Sequence, residues 1–516
     1  MNEFLQTETV IIELLVVASL VAIVIQRIRL PYTVALVLVG LGLSFFQGMI
    51  TIELTEELIL ALFLPPLLFE AAFHVEVKEL RQNLSPILML AIFGVIISTF
   101  VVGGLVAWGT SLTLSTALIF GALIAATDPV AVVAMFRALG APKKLTTIIE
   151  GESLFNDGSA VVIFNIILGA ALTGEFSLAE GLFEFVEVSL GGLLIGLSLG
   201  WLTAQIIRRV DNYLAETTLT AALAFGTFLI AEHFHVSGVL AVVAAGILNG
   251  NIGPEGMSPT TKIVLFNFWE YLAFLANSLI FLLIGLEIDL NAMVSNMGFI
   301  IMAYIAVTVA RAISVYGLNS LAALFPGEKI PLRWQHVQVW GGLRGAVSLA
   351  LALGLPVSLG ADRGLIINLA FGVVFMMMLF QATTMEWLVT RLGILKKDKK
   401  EVEYDHIRGQ LLAIRAAQDE LEDMHNSGQL SAHAWSVLQP EYETASDEVT
   451  QELRELVEND PALETKEINS ARHQLLITQR GALHALERDG LISSDAFEHL
   501  ASQIDEQLDR LSDKKH

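Results

Sequence analysis

Thirteen apolar runs divide the first 395 residues, and nothing else in the chain constrains its fold as strongly. They lie near 9–26, 32–50, 58–74, 85–108, 115–136, 147–172, 183–207, 217–234, 237–250, 264–286, 297–325, 335–357 and 364–390. Most reach about 18 residues or more, the length a helix needs to cross ~30 Å of hydrocarbon. With 54% hydrophobic and 16% charged residues, the composition is not that of an ordinary soluble protein. These runs predict an all-α polytopic membrane protein, inserted in the plasma (inner) membrane and surrounded by lipid.

The charges between the runs predict orientation. Lys78 and Arg81 follow the third run, Arg137, Lys143 and Lys144 the fifth, and Arg208 and Arg209 the seventh. Arg27 and Arg29, Lys262, Lys329 and Arg333, and Arg391 follow the first, ninth, eleventh and thirteenth. The opposite loops carry Glu53, Glu56, Glu57, Glu175, Glu180, Glu287 and Asp289, with Arg363 the only base. Under the positive-inside rule the N-terminus lies outside and the C-terminus in the cytoplasm, which requires an odd number of spans. Met1-Asn2-Glu3-Phe4 has no basic stretch before the first run, which argues against a cleaved signal peptide. With no cysteine, disulfides are excluded. The net charge of −23 gives no reason to expect nucleic acid, and about half of it falls in the last 120 residues.

Two runs are interrupted. The fifth contains Ala125-Ala126-Thr127-Asp128-Pro129-Val130, where proline lacks a backbone donor and clashes with the preceding turn. The twelfth contains Gly341-Gly342-Leu343-Arg344-Gly345-Ala346, where three glycines loosen the helix around a base. Broken helices at matching places in two halves point to a transporter built from inverted repeats. Here the repeats would be runs one to six and eight to thirteen, with the seventh as linker.

The sixth run carries carboxylates that the bilayer penalises: Glu150-Gly151-Glu152-Ser153-Leu154-Phe155-Asn156-Asp157-Gly158-Ser159. An uncompensated charge there costs roughly 2.5–3.5 kcal/mol on insertion scales, so it marks a functional site by default. The other reading is a buried polar network that holds helices together. Asp157, Asn156, Ser153, Thr127 and Asp128 form an all-oxygen set suited to a hard cation. Ser153 and Asp157 are four apart, and Ser153 and Asn156 three apart, so the three share a helical face. Burial disfavours the bare anion, so such a carboxylate holds either a proton or a cation. Competition at one site suffices for exchange if only loaded states can cross.

Four blocks then resemble a known family. Leu64-Pro65-Pro66-x-x-Phe69-Glu70, Thr127-Asp128-Pro129, Glu152-Ser153-x-x-Asn156-Asp157-Gly158 and Gly342-Leu343-Arg344-Gly345-Ala346 are similar to the monovalent cation/proton antiporters. The likeness is closest to the NhaP-like bacterial proteins and the animal sodium/proton exchangers, and it spans about 1–395. The resemblance implies a transporter and not an enzyme, with no cofactor, moving Na⁺ or Li⁺ against H⁺. It makes Asp157 the main ion- and proton-binding carboxylate, joined by Asp128, Ser153 and the Thr127 carbonyl around a monovalent cation. Asn156 would orient the site, Glu70 would reach in from another domain, and Glu152 would pair with Arg344. Asn156 in place of a second acid implies electroneutral exchange. The family also implies a core domain that moves like an elevator against a dimerisation domain in a homodimer. Alternatives are a potassium/proton antiporter of the same fold, a passive cation channel, and an intramembrane aspartyl protease using Asp128 and Asp157.

Other features read as structural. Gly192, Gly196 and Gly200 form a small-residue ridge for close helix packing. His233 and His235 read as interfacial, and Arg311 needs a carboxylate or freed carbonyls beside it. Trp201, Trp269, Trp334 and Trp387 read as interfacial anchors. Beyond 395, Lys396-Lys397-Asp398-Lys399-Lys400 closes the membrane domain and 396–516 forms an acidic cytoplasmic helical tail. Gly428-Gln429-Leu430-Ser431-Ala432-His433-Ala434 recurs as Gly490-Leu491-Ile492-Ser493-Ser494-Asp495-Ala496, with glycine as helix stop and serine as N-cap. Two helical hairpins are expected there.

Overall fold

The computed structural model describes residues 2–25, 30–45, 55–56, 58–175, 177–210, 212–253, 259–322, 329–394, 399–488 and parts of 491–508. Every described element is helical. The chain divides into two compact units, Met1–Leu395 and Lys396–His516.

In the first unit the described residues of each apolar run lie mainly on helix. The helices are α1 Asn2–Ile25, α2 Tyr32–Ser44, α3 Leu64–His74 and α4 Leu84–Gly109. The fifth run becomes α5 Leu114–Leu123 and α6 Val130–Leu139, separated by non-helical backbone over 124–129. Then follow α7 Lys143–Thr173, α8 Leu178–Ile207, α9 Tyr213–His233, α10 Gly238–Ile252, α11 Pro259–Glu287 and α12 Met297–Ala322. The twelfth run splits into α13 Leu332–Trp340 and α14 Ala346–Leu353, and α15 Ala361–Arg391 ends the unit. Among the described residues seven helices are long and apolar enough to span a bilayer alone, among them α4, α7, α8, α12 and α15. The breaks at Pro129 and around Gly341–Gly345 explain why two runs do not. Arg27, Arg29 and Lys396-Lys397-Asp398 lie outside the described residues.

The helices pack as two sets. α2 lies along α11, α3 along α10 and α11, and α8 and α9 along α10. The second set joins α4 to α5 and α12, α5 to α7, and α12 to α15. α7 touches both sets through α8 and α10. Within hydrocarbon no hydrophobic force drives helix on helix, so small residues that admit close approach decide the contact. The ridge on α8 does this. A Cβ at Gly192 would lie 2.4 Å from the Ser237 carbonyl oxygen, and one at Gly196 would lie 2.1 Å from that of Ala241. One at Gly200 would meet Ala245 Cα at 3.0 Å. The opposite side of α8 leaves Leu178, Leu182, Leu190 and Leu194 exposed, as a lipid-facing helix does.

Two aromatic expectations resolve differently. Trp201 and Trp387 are exposed and Trp334 is half-buried. Trp269 is fully buried, so it is not an interfacial anchor. Its Nε1–H donates to Thr220 Oγ1 at 3.1 Å and its ring packs on Phe69 at 4.4 Å between centroids, which gives the indole a partner inside the protein.

In the second unit α16 Lys399–Asn426 and α17 Ala432–Glu458 form an antiparallel hairpin, followed by α18 Pro461–Arg488. Tyr404, Ile407, Leu411, Leu453, Val457 and Leu463 make its small core. Gly428 takes the left-handed turn (φ 73°) that ends α16, and Ser431 Oγ accepts from Ala434 N at 3.2 Å to open α17. Ser493 Oγ accepts from Ala496 N at 3.3 Å, repeating that cap. Gly490, Ser494 and Asp495 of the second copy lie outside the described residues.

Gly196→Val inserts an isopropyl group against a backbone carbonyl, so we expect a loss of about 1–3 kcal/mol, seen as a lower melting temperature in detergent. Gly226→Ala, where an added Cβ meets nothing within 4 Å, is the control and leaves the melting temperature level or higher.

Candidate functional site

The two breaks cross. Asp128 N–H donates to the Leu343 carbonyl at 2.9 Å, joining one unwound stretch directly to the other. Interrupting a helix orphans carbonyls at its first half and N–H groups at its second. Arg344 answers the carbonyls: Nη1 donates to Ala125 O at 2.7 Å and Ala126 O at 3.1 Å, where the C-terminal end of α5 is negative. Asp128 answers the N–H groups, its Oδ1 accepting from Val130 N at 3.1 Å at the positive start of α6. Gly345 directly precedes α14, and a Cβ on it would lie 1.9 Å from Asp128 Oδ2. The carboxylate thus occupies the space that a side chain at 345 would need.

α7 runs past this crossing and brings its own polar face. Ser153 Oγ donates to the Thr127 carbonyl at 2.5 Å, tying the helix to the break. One turn on, Asp157 is buried, and the charges close enough to act on it are Asp128 and Arg344. Among the buried oxygens without a hydrogen-bond partner, three belong to these two segments: Asp157 Oδ1, Asn156 Oδ1 and Thr127 Oγ1. Buried polar atoms are nearly always satisfied, so three together at one point mark a place that receives a ligand. Thr127, Asp128, Ser153 and Asp157 line a cavity of about 730 Å³ that also reaches Glu70, Arg137, Glu150, Glu270 and Glu386. Glu70 lines the same cavity but makes no hydrogen bond with Asp157, Asp128 or Ser153; it is paired with His74 instead. Asn156, Glu152 and Arg344 do not line it.

The expected Glu152–Arg344 pair is not formed. Glu152 is held by Arg311 of α12, with Nη1 on Oε1 and Nη2 on Oε2 at 2.9 Å. Arg311 also donates through Nε and Nη2 to the Gln338 carbonyl at 3.2 and 3.1 Å, near the end of α13. The reason is competition for acceptors. The orphaned carbonyls of the first break engage Arg344, which leaves Glu152 to the other buried base. Arg311 has both partners expected of it, a carboxylate and a carbonyl at a broken helix. Gly342 lets this guanidinium pass, since a Cβ there would lie 2.6 Å from Arg311 Nε.

Reading the residues in order missed the second layer of the cavity. Glu150 accepts from Arg137 Nη2 at 2.9 Å, and both face the cavity with Glu270 and Glu386. Arg137 reads as a loop base in the sequence. The available signal was its place in the last turn of the half-helix that follows Pro129.

The profile described as "Sodium/hydrogen exchanger, transmembrane" matches residues 15–391. The chain belongs to that family. A sodium/hydrogen exchanger-family relative, the Na(+)/H(+) antiporter ApNhaP of Aphanothece halophytica, is 44% identical over 71% of this chain and 70% of its own. The Na(+)/H(+) antiporter NhaS2 of Synechocystis sp. is 34% identical over 98% of this chain and 93% of its own. In structure, the sodium proton antiporter MjNhaP1 from Methanocaldococcus jannaschii at pH 8 superposes with a TM-score of 0.63. That match covers 77% of this chain and all of the other at 23% identity, a likeness of fold.

Breaking the Arg311–Glu152 pair strands a buried charge, at a cost of about 3–5 kcal/mol. Arg311→Met alone should lose most of the folded protein in a detergent melting assay, whereas Arg311→Met with Glu152→Leu should recover a large part. Equal melting temperatures for the single and double variants would refute the pairing.

Proposed function

We propose that this exchanger-family chain moves Na⁺ (or Li⁺) against H⁺ by alternate loading of Asp157. The observation that carries the reading is the pair of unpartnered buried oxygens Asp157 Oδ1 and Thr127 Oγ1, on residues that line one cavity beside the two crossing breaks. A cation there would be held by Asp157, Asp128, Ser153 and Thr127, with Glu70 supplied from the facing set of helices. Asn156, outside the cavity lining, would orient Asp157.

Electroneutrality follows from charge counting. The Val130 N–H at the start of α6 favours the charged form of Asp128, and we assign the site's variable charge to Asp157 alone. With a proton on Asp157 the pair Asp128–Asp157 carries one negative charge, and with Na⁺ bound it carries the same. The two loaded states cross with equal charge, while the bare site carries one more negative charge and stays. One proton therefore exchanges for one monovalent cation.

On the topology proposed from the loop charges, N-terminus outside and C-terminus cytoplasmic, the cavity opens inward, since Arg137 and Glu386 lie toward that side. The set holding α4–α7 and α12–α15 would carry the site as an elevator against the other set, which pairs two copies in a homodimer. The relatives named above are Na⁺/H⁺ antiporters, which favours Na⁺ over K⁺ and over the channel and protease readings.

Proteoliposomes with a trapped pH dye and an imposed pH gradient test this. Added Na⁺ or Li⁺ should dissipate the gradient whatever the clamped membrane potential, and Asp157→Asn should abolish the response. Dissipation by K⁺ alone would replace the substrate, and silence toward all three cations would sink the reading.

A further inference from the structure

Glu70 has a neighbour that the exchange cycle leaves unused. His74 follows it by one turn of α3, and His74 Nδ1 lies 2.8 Å from the Glu70 carbonyl oxygen and 3.2 Å from Glu70 Oε1. A carbonyl oxygen can only accept, so Nδ1 carries the hydrogen and donates it to the Glu70 main chain, with the carboxylate oxygen drawn up beside it. The imidazole is held at its faces and edges. Phe266 of α11 stands 5.0 Å away at 65° and Phe73 6.3 Å away at 78°. The donor is therefore fixed in space, and it draws the Glu70 carboxylate back along its own helix toward the C-terminal end of α3.

Glu70 lines the same cavity as Asp128, Ser153 and Asp157 but forms no hydrogen bond with any of them. A carboxylate that is to join a cation there must first leave the His74 N–H, and the lost contact is subtracted from the binding it provides.

We propose that His74 is a positioning residue that holds the Glu70 carboxylate beside its own ring, unbonded to Asp128 and Asp157, and thereby weakens cation uptake. The inference rests on the reading of Glu70 as a cation ligand given above. It depends on the donor at 74 and on no change in its protonation.

The test measures initial rates of gradient dissipation against Na⁺ concentration, with the full chain in proteoliposomes. His74→Ala removes the donor and should lower the apparent KM for Na⁺ about three- to tenfold, the worth of one hydrogen bond. The change should fall on KM more than on the maximal rate. His74→Gln, which keeps an N–H donor, should return KM toward the natural value and guards against loss of fold. In a Glu70→Gln background His74→Ala should move KM no further. An unchanged or raised KM for His74→Ala overturns the proposal, as does a shift of equal size in the Glu70→Gln background, which would assign the effect to packing on Phe266. If Glu70→Gln itself leaves KM unchanged, Glu70 is no ligand and the underlying reading of that residue fails. If Glu70→Gln raises KM while His74→Ala does nothing, only the role of His74 fails.

Discussion

Two guanidinium groups inside hydrocarbon are the condition on which the rest of this structure depends. Arg311 and Arg344 are each about 5% exposed or less, and an unanswered charge at such a place would not be tolerated. Each is answered at least in part by carbonyls that a continuous helix would not leave free. Arg344 uses carbonyls released where α5 stops, and Arg311 uses Glu152 together with a carbonyl near the end of α13. The breaks and the bases thus require each other. Straightening either helix would withdraw acceptors from an arginine, and removing an arginine would orphan the ends of a helix.

The consequence for the ion site is that its framework is held before any cation arrives. The Asp128 N–H to Leu343 bond and the Ser153 hydroxyl on the Thr127 carbonyl fasten three chain segments at one point. What remains loose is confined to the oxygens without partners. A frame of this kind keeps donor positions steady and leaves selection of occupant to charge and size, which suits a site that must release as readily as it binds.

Much of this was legible in the sequence, for reasons that can be stated. Apolar length reveals a helix in hydrocarbon, so the described residues of the runs lie mainly on helix. Proline and clustered glycine reveal a break, so 124–129 and 341–345 were found. An acid in an apolar run is conspicuous, so Asp157 and Glu152 stood out. Partner choice was not legible. Whether Glu152 meets Arg311 or Arg344 depends on how carbonyls compete for two identical groups, and spacing along the chain carries no record of that. Trp269 was misplaced for a related reason, since nearness to the end of a run does not tell an anchor from a core residue that has found Thr220. The charged residues of the cavity wall were hidden because Arg137, Glu270 and Glu386 resemble ordinary surface charges until the fold brings them to one cavity.

The missing side chain at Gly345 has a consequence for how such a sequence can change over time. The first carbon of any other residue would land 1.9 Å from Asp128 Oδ2, so position 345 cannot drift while an aspartate of this geometry stands at 128. The reverse holds as well, because a longer acid at 128 would press on the backbone of 345. A lineage that abandoned the aspartate could then refill position 345, and could regain the aspartate only after glycine had returned there. The crossing therefore fixes the order of change, with the aspartate first to leave and last to come back.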